Sequence, residues 1–161
     1  MNIATVCGIF FPIPGGAQVQ AHNISNKLVE LGHNVDVFLY NPTNIKANNY
    51  KIFLISKFLS SLVFFFEYYL KINISFILEI YFKKIIKKKR YDLWHFHLVN
   101  FKSLIIINTL KKLNQKIVVT FHGADLQSDK SINYGYRLDK KYEKYLLKTI
   151  KNIDLFLNIS S

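Results

Sequence analysis

The first forty or so residues constrain the fold most. Asn2–Phe10 is a short apolar run containing Ile and Val, and it ends at Pro12, Pro14, Gly15 and Gly16. That reads as a buried strand followed by a tight loop. From Ala17 the period changes. Ala17, Ala21, Ile24, Leu28 and Leu31 step by four, three, four and three residues, which is one face of an amphipathic helix. Gly32 follows as a stop, and Asn34–Tyr40 is a second strand closed by Asn41-Pro42. A strand, glycine loop, helix and strand in this order form a parallel pair with a right-handed crossover.

The alternation continues. Tyr50–Ile55 reads as a third, shorter strand, and Phe58–Lys89 as one or two helices with a break near Asn73. Tyr91–Phe96 is apolar enough for a central strand, and Phe101–Leu113 has helical spacing. Lys116–Phe121 is a buried strand. Asn133–Asn152 carries Leu138, Tyr142, Tyr145 and Ile150 on one helical stripe that runs on to Ile153, and Asp154–Ile159 is a last strand. The fold class is therefore α/β: a Rossmann-like, doubly wound parallel sheet with helices on both faces. With 161 residues, half of them hydrophobic, and no linker or repeat, the chain reads as one domain over 1–161.

Charge narrows the partners. The 22 Lys and Arg outnumber the 10 Asp and Glu, for a formal net charge of +12, which favours anionic partners. The single Cys7 lies in an apolar run and reads as a buried, inert thiol. The N-terminus lacks the basic start and small-residue cleavage site of a secretory leader. No uninterrupted apolar run reaches the roughly 18 residues of a membrane span. A reducing, cytoplasmic compartment is expected.

In an open parallel sheet, ligands bind beyond the carboxyl ends of the strands, and three features fall there. The first is the loop Pro12 to Ala17. Gly15 and Gly16 allow close backbone approach, and the helix N-terminus behind them suits a phosphate. The same pair serves equally as a turn needed only for geometry. The loop lacks both Gly-x-Gly-x-x-Gly and Gly-Lys-Ser/Thr, so an oxidoreductase or a phosphate-loop nucleotidase is disfavoured. The second is Asp92 to His97. His95 and His97 face the same side of a strand. His95 reads as a buried, hydrogen-bonded core histidine, and His97 as a candidate site residue. The third is Thr120 to Asp125, with His122 directly after a buried strand. An imidazole there can donate to a sugar hydroxyl or to developing charge. Asp125 either orients it, binds a hydroxyl, or caps a turn. His33 reads as structural, and His22 as facing solvent. A metal site would need more ligands than the His95–His97 pair.

These pieces occur in the order and at the intervals of glycosyltransferase family 4, and the resemblance runs over nearly the whole chain. Phe11 to Gln18 resembles the family's Pro-x-x-Gly-Gly loop, and Leu28 to Val37 its Leu-x-x-x-Gly-His-x-Val segment. Asp92 to His97 is similar to its Asp-x-x-His-x-His strand. Val119 to Asp125 is similar to its Thr-x-His-Gly-x-Asp, and Asp154 to Ser160 to the strand ending in Ser before the crossing to a second domain. The resemblance implies one half of a GT-B architecture, the N-terminal, acceptor-side half. The nucleotide-sugar donor would be held by a C-terminal half that carries a Glu-x7-Glu pair. Transfer would retain anomeric configuration and need no metal or other cofactor. The carry-over makes His122 the catalytic residue of this half, with Gly15, Gly16, His97 and Asp125 binding donor phosphates or substrate. No second half lies within the sequence, which leaves open a truncated or interrupted gene, a split enzyme whose other half is a separate chain, and an excised domain; this chain alone is expected to be inactive, and the alternative reading is a non-catalytic scaffold or remnant of the fold.

Lys46 to Asp92 carries ten Lys or Arg against three acids, beside Phe64, Phe65, Phe66, Tyr68, Tyr69, Phe76, Tyr81 and Phe82. A basic, aromatic face fits docking on an anionic membrane surface, with the protein peripheral on the inner face and the acceptor a glycan or a lipid-linked sugar. The same residues read as a solvated helix end plus core aromatics. No nucleic-acid partner is expected, because no recognisable motif accompanies the charge.

Overall fold

A computed structural model describes residues 1–8, 10–13, 15–42 and 49–158. Ile9, Pro14, residues 43–48, Ile159 of the last expected strand, and Ser160 and Ser161 after it lie outside the described residues. Strands β1 (Asn2–Cys7), β2 (Asn34–Leu39), β3 (Lys51–Leu54), β4 (Leu93–His97), β5 (Ile117–Phe121) and β6 (Leu155–Asn158) form one sheet in the order β3-β2-β1-β4-β5-β6. Every pairing is parallel. The helices are α1 (Gly16–Glu30), α2 (Lys57–Phe65), α3 (Phe76–Lys88), α4 (Phe101–Lys112) and α5 (Lys140–Thr149).

The strand order reverses between β1 and β4, so the ligand crevice of such a sheet opens at the carboxyl ends of those two strands. Helices cover both faces, unevenly. α1 packs over Ile3, Cys7, Val35 and Val37. The other four helices cover the opposite face, around Trp94, Phe96, Val119 and Phe82. Each fully buried aromatic of that core stabilises the fold by about 1.5–3 kcal/mol. Trp94 also donates its indole N–H to Gln115 Oε1 at 3.1 Å, so its one polar atom is not orphaned. At the amino end, the buried Asp36 on β2 takes hydrogen bonds from Lys89 and from Tyr91 Oη, which ties the end of α3 to the sheet.

Some expected boundaries shift. The first strand leaves the ladder after Cys7, and Phe10 is buried beyond it. The β4 ladder runs later than Tyr91–Phe96 and includes His97. The break near Asn73 is real. α2 continues into a π-helical turn over Phe66–Leu70, and Lys71 then reverses the chain with φ 58°. On α1 the buried stripe is Ala17, Gln18, Ala21 and Ser25, with Leu28 partly buried, while Leu31 lies exposed past the helix end.

The largest departure is Asn133–Asn152. Only Lys140–Thr149 is α-helix, with a 3₁₀ turn on either side at Tyr136–Leu138 and Ile150–Asn152. Asn133 and Gly135 sit at φ 51° and 96°, outside the helical region. Asp139 then caps α5, accepting from Lys141 N at 2.8 Å. Gly135 is required here, since a Cβ would stand 2.0 Å from the Gln127 carbonyl oxygen. Gly135→Ala is expected to cost about 2–4 kcal/mol, from the left-handed backbone plus overpacking. Thermal unfolding checks this, with a fall in Tm of about 5–10 °C expected. An unchanged Tm would mean that the Gln127 turn gives way freely.

Candidate active site

The sheet register builds the site. Cys7 at the end of β1 pairs with His97 at the end of β4, and His97 pairs in turn with Thr120 on β5. His122 follows one residue past the end of β5. Two rims that are 25 residues apart in sequence therefore meet, and His97 Nδ1 lies 3.3 Å from His122 Nε2. Behind them the His95 ring lies tilted against His97, with centroids 4.1 Å apart, and its Nε2 reaches Thr120 Oγ1 at 2.7 Å. His95 is thus the buried, bonded core histidine of the sequence reading. His97 is equally buried, at 1% exposure, but its partner is the rim histidine.

The remaining nitrogens of the pair, His97 Nε2 and His122 Nδ1, are buried without a hydrogen-bond partner among the described residues. Neutral imidazole carries one donor and one acceptor. Whichever ring donates the shared proton, the pair keeps one unspent donor and one unspent acceptor. An unsatisfied buried polar atom costs about 1–3 kcal/mol, and such atoms are tolerated where chemistry needs them. Burial and the like-charged neighbours hold the pair neutral. His95 is lowered to about 4, chiefly by burial and then by His122. His97 is pushed well below the usual range by burial, His95 and His122. His122 is lowered by burial against the pull of Asp125.

Asp125 is fully buried. Its Oδ1 accepts the His122 backbone N–H at 2.9 Å and its Oδ2 the Val99 N–H at 3.0 Å. One carboxylate thereby ties the loop after β4 to the loop after β5. The Tyr142 hydroxyl sits between the carbonyls of Val99 and Asp125, at 2.7 and 3.0 Å, and adds α5 to the clamp. Burial raises the Asp125 carboxyl, against the amides of Val99 and His122. Asp125 acts on His122 by holding its backbone. Gly123 completes the turn at φ 95°, where a Cβ would meet Tyr134 Oη at 3.1 Å.

The glycine loop lies on the same rim, at the end of β1. Gly15 is the N-cap of α1, with no side-chain cap and no acid in the first turn. A Cβ on Gly15 would stand 2.2 Å from Gln18 Oε1, whereas one on Gly16 would meet nothing within 4 Å among the described residues. The fold therefore leaves Gly16 free. His22 does not face solvent. It is half-buried, bonded to Tyr50 Oη and to Asn26, and stacked on Phe11 with centroids 4.8 Å apart. This aromatic knot fastens the loop to α1. Among the described residues, no group of three or more His, Cys, Asp or Glu is placed to hold a metal ion.

Sequence reasoning did not single out Thr120, Val99 or Tyr142. Thr120 alternates correctly to share a face with His95, and that signal was available. Val99 acts through its backbone, which no residue pattern announces.

The same fold occurs in known proteins. MurG from Acinetobacter baumannii superposes with a TM-score of 0.58 at 11% identity, covering 98% of this chain and 40% of that one. The spinosyn rhamnosyltransferase SpnG, solved with thymidine diphosphate, gives 0.53 at 14%, covering 98% and 45%. A glycosyltransferase from Rickettsia africae gives 0.54 at 18%, covering 99% and 42%. At these identities the likeness shows the fold, one Rossmann-like half of a GT-B architecture, and the chain spans less than half the length of each. No curated protein matches the chain by sequence. The family model for Glycosyltransferase Family 4 matches residues 14–161, and the chain belongs to that family.

Proposed function

We propose that this chain is the acceptor-side half of a retaining glycosyltransferase that moves a sugar from a nucleotide-sugar donor to a glycan or lipid-linked acceptor. The observation that carries this is the His97–His122 pair. It stands on the rim beside the crevice between β1 and β4, with one donor and one acceptor nitrogen unspent. In this reading the donor phosphates approach the uncapped amides at the start of α1, past Gly15 and Gly16. His122 holds a hydroxyl of the transferred sugar while its bond to phosphate breaks, and His97 holds His122. Asp125 fixes both loops. No metal is assigned a part, since the helix N-terminus and the basic charge of the chain meet the phosphates. Support for a nucleotide comes from SpnG, which was solved with thymidine diphosphate.

A peripheral place on the inner face of an anionic membrane fits the surface of α3, where exposed Phe76 and Ile80 are followed by Lys83, Lys84 and Lys87. Each lysine near such a surface contributes about 1 kcal/mol. Of the aromatic run, Phe82 instead fills the core, and Phe64 and Tyr68 pack against it. Among the described residues, no helix is long and apolar enough to cross a membrane.

The test pairs the chain, in cis or in trans, with a second Rossmann-like half and assays transfer from a panel of nucleotide sugars. Turnover is expected. Gly16→Ala, whose methyl meets nothing within 4 Å among the described residues beyond its own helix and neighbours, should leave Tm unchanged and cut transfer about tenfold or more, by displacing the phosphates. Full activity in that variant would move the phosphates elsewhere. Absence of transfer from every donor would sink the reading.

A further inference from the structure

Three cavities run in series outward from the rim. The first, of about 270 Å³, is lined by Phe64, Tyr68, Phe101, Asn100, Tyr136 and Tyr142. Asn100 belongs to the rim loop after β4, and Tyr142 is part of the Asp125 clamp. The second, of about 340 Å³, shares Tyr68 and Phe101 with the first and adds Glu67, Lys71, Lys144 and Lys148. The third, of about 420 Å³, shares Tyr145 and Lys148 with the second and adds Lys111 and Lys112. Shared walls make the three one groove. It follows α4 from Asn100 to Lys112, about 18 Å at the helical rise, longer than one sugar ring.

The chemistry changes along the groove. The rim end is aromatic and the far end cationic. Lys71, Lys144 and Lys148 are exposed and pair with no carboxylate among the described residues. Lys111 and Lys112 are held by Asp154 and Glu79. Lys141 lies over the Tyr68 ring, 4.5 Å from its centroid. Two acids line the groove. Asp139 accepts from Tyr68 Oη at 2.6 Å and caps α5. Glu67 takes the Tyr145 hydroxyl on Oε2 at 2.7 Å, while its Oε1 is buried without a partner. Glu67 stands in the π-helical turn, a distortion common at functional sites. An acceptor oxygen, flat apolar walls and unpaired cations are the three recognition elements of a charged sugar chain.

We propose that this groove seats the extended part of an anionic glycan acceptor. Sugar rings lie against Tyr68 and Phe101, a hydroxyl donates to Glu67 Oε1, and phosphate or carboxylate groups meet Lys71, Lys144 and Lys148. That the occupant is an acceptor rests on the sugar-transfer reading. Binding of an anionic sugar chain in the groove does not. The aromatic end opens at the rim, so the chain's reacting end would point at His122.

The test uses the full chain alone, without donor or second half, and measures binding by calorimetry. The probes are phosphorylated mannopentaose, mannopentaose, inorganic phosphate, and vesicles of phosphatidylcholine and phosphatidylglycerol. The phosphorylated pentasaccharide should bind about tenfold or more tighter than either mannopentaose or phosphate. K144E/K148E should weaken it about tenfold or more. K51E/K130E, with the same charge change at exposed positions outside the groove, should leave it unchanged. Equal losses in both variants would reduce the effect to net charge and overturn the proposal. So would a pentasaccharide bound no better than phosphate, or vesicles that bind only through Lys144 and Lys148. Failure here with intact transfer in the paired enzyme removes the groove and leaves the transferase. Failed transfer with intact binding does the reverse.

Discussion

His122→Ala is expected to lower kcat for sugar transfer by about 10²–10⁴-fold, the usual worth of a positioned imidazole, with little change in KM. The split matters. A residue that only shaped the loop would weaken binding and rate together, whereas one that acts as the donor bond breaks lowers kcat alone. The fold should survive. Asp125 Oδ1 grips the His122 backbone N–H, not its ring, so the clamp between the β4 and β5 loops stays closed in the variant. The one new cost is His97 Nδ1, buried and now unpartnered, at about 1–3 kcal/mol, which a modest fall in Tm would report. The wild-type protein adds a pH signature. Burial holds His122 below the usual imidazole range, so its neutral form persists at neutral pH. Activity should fall on the acid side, below about 6.5, and no such limb should remain in any residual activity of the variant. A kcat within threefold of wild type would remove His122 from the chemistry.

Much of the architecture was legible because it rests on periodicity. The switch from the apolar run Asn2–Phe10 to the four-three spacing after Ala17 marks β1, the loop and α1 within a few residues. It misplaced Leu31, which looks like the next member of the stripe but falls after the helix has ended at Glu30. The long helix expected over Asn133–Asn152 failed for a local reason. Tyr and Leu at helical spacing outvoted Gly135, whose φ of 96° breaks the helix. Asp139, a visible capping residue, marked the true start. Of the site, sequence brought His97, His122 and Asp125 to one rim, because all three follow or end parallel strands. It could not pair His97 with His122, since strand register is set by packing across the sheet. Nor could it separate the three readings of Asp125, whose second amide comes from Val99, 26 residues away. The Glu67 groove was out of reach for the same reason. It is assembled from a π-helical turn, α4 and α5, and nothing in the Phe-rich run says which rings fill the core and which line a surface.

The clustered histidines should also make the fold acid-sensitive well above the carboxylate range. His95 is held down to about 4 in the folded protein, against about 6.5 unfolded. Above about 6.5 both states are neutral and the arrangement contributes its full stability. As pH falls, the unfolded chain takes up protons that the folded core refuses, and stability drops until the folded pKa is passed. A gap of that size is worth about 3 kcal/mol for His95 alone. His97, lowered in the same direction by burial and by both flanking rings, adds to it. Asp125 and Glu67 oppose the trend. Burial raises both carboxyls, so the cost of folding them charged is relieved on acidification. Their effect grows toward the carboxylate range, and the steepest loss is therefore expected just below about 6.5. Urea unfolding between about pH 7 and about pH 4.5 reads this directly as a falling midpoint. His95→Gln, which can keep a hydrogen bond to Thr120 without titrating, should start less stable and fall less steeply. A midpoint flat across that range in the wild-type chain would mean that the three rings are not held neutral, and the unspent donor and acceptor of the His97–His122 pair would lose their basis.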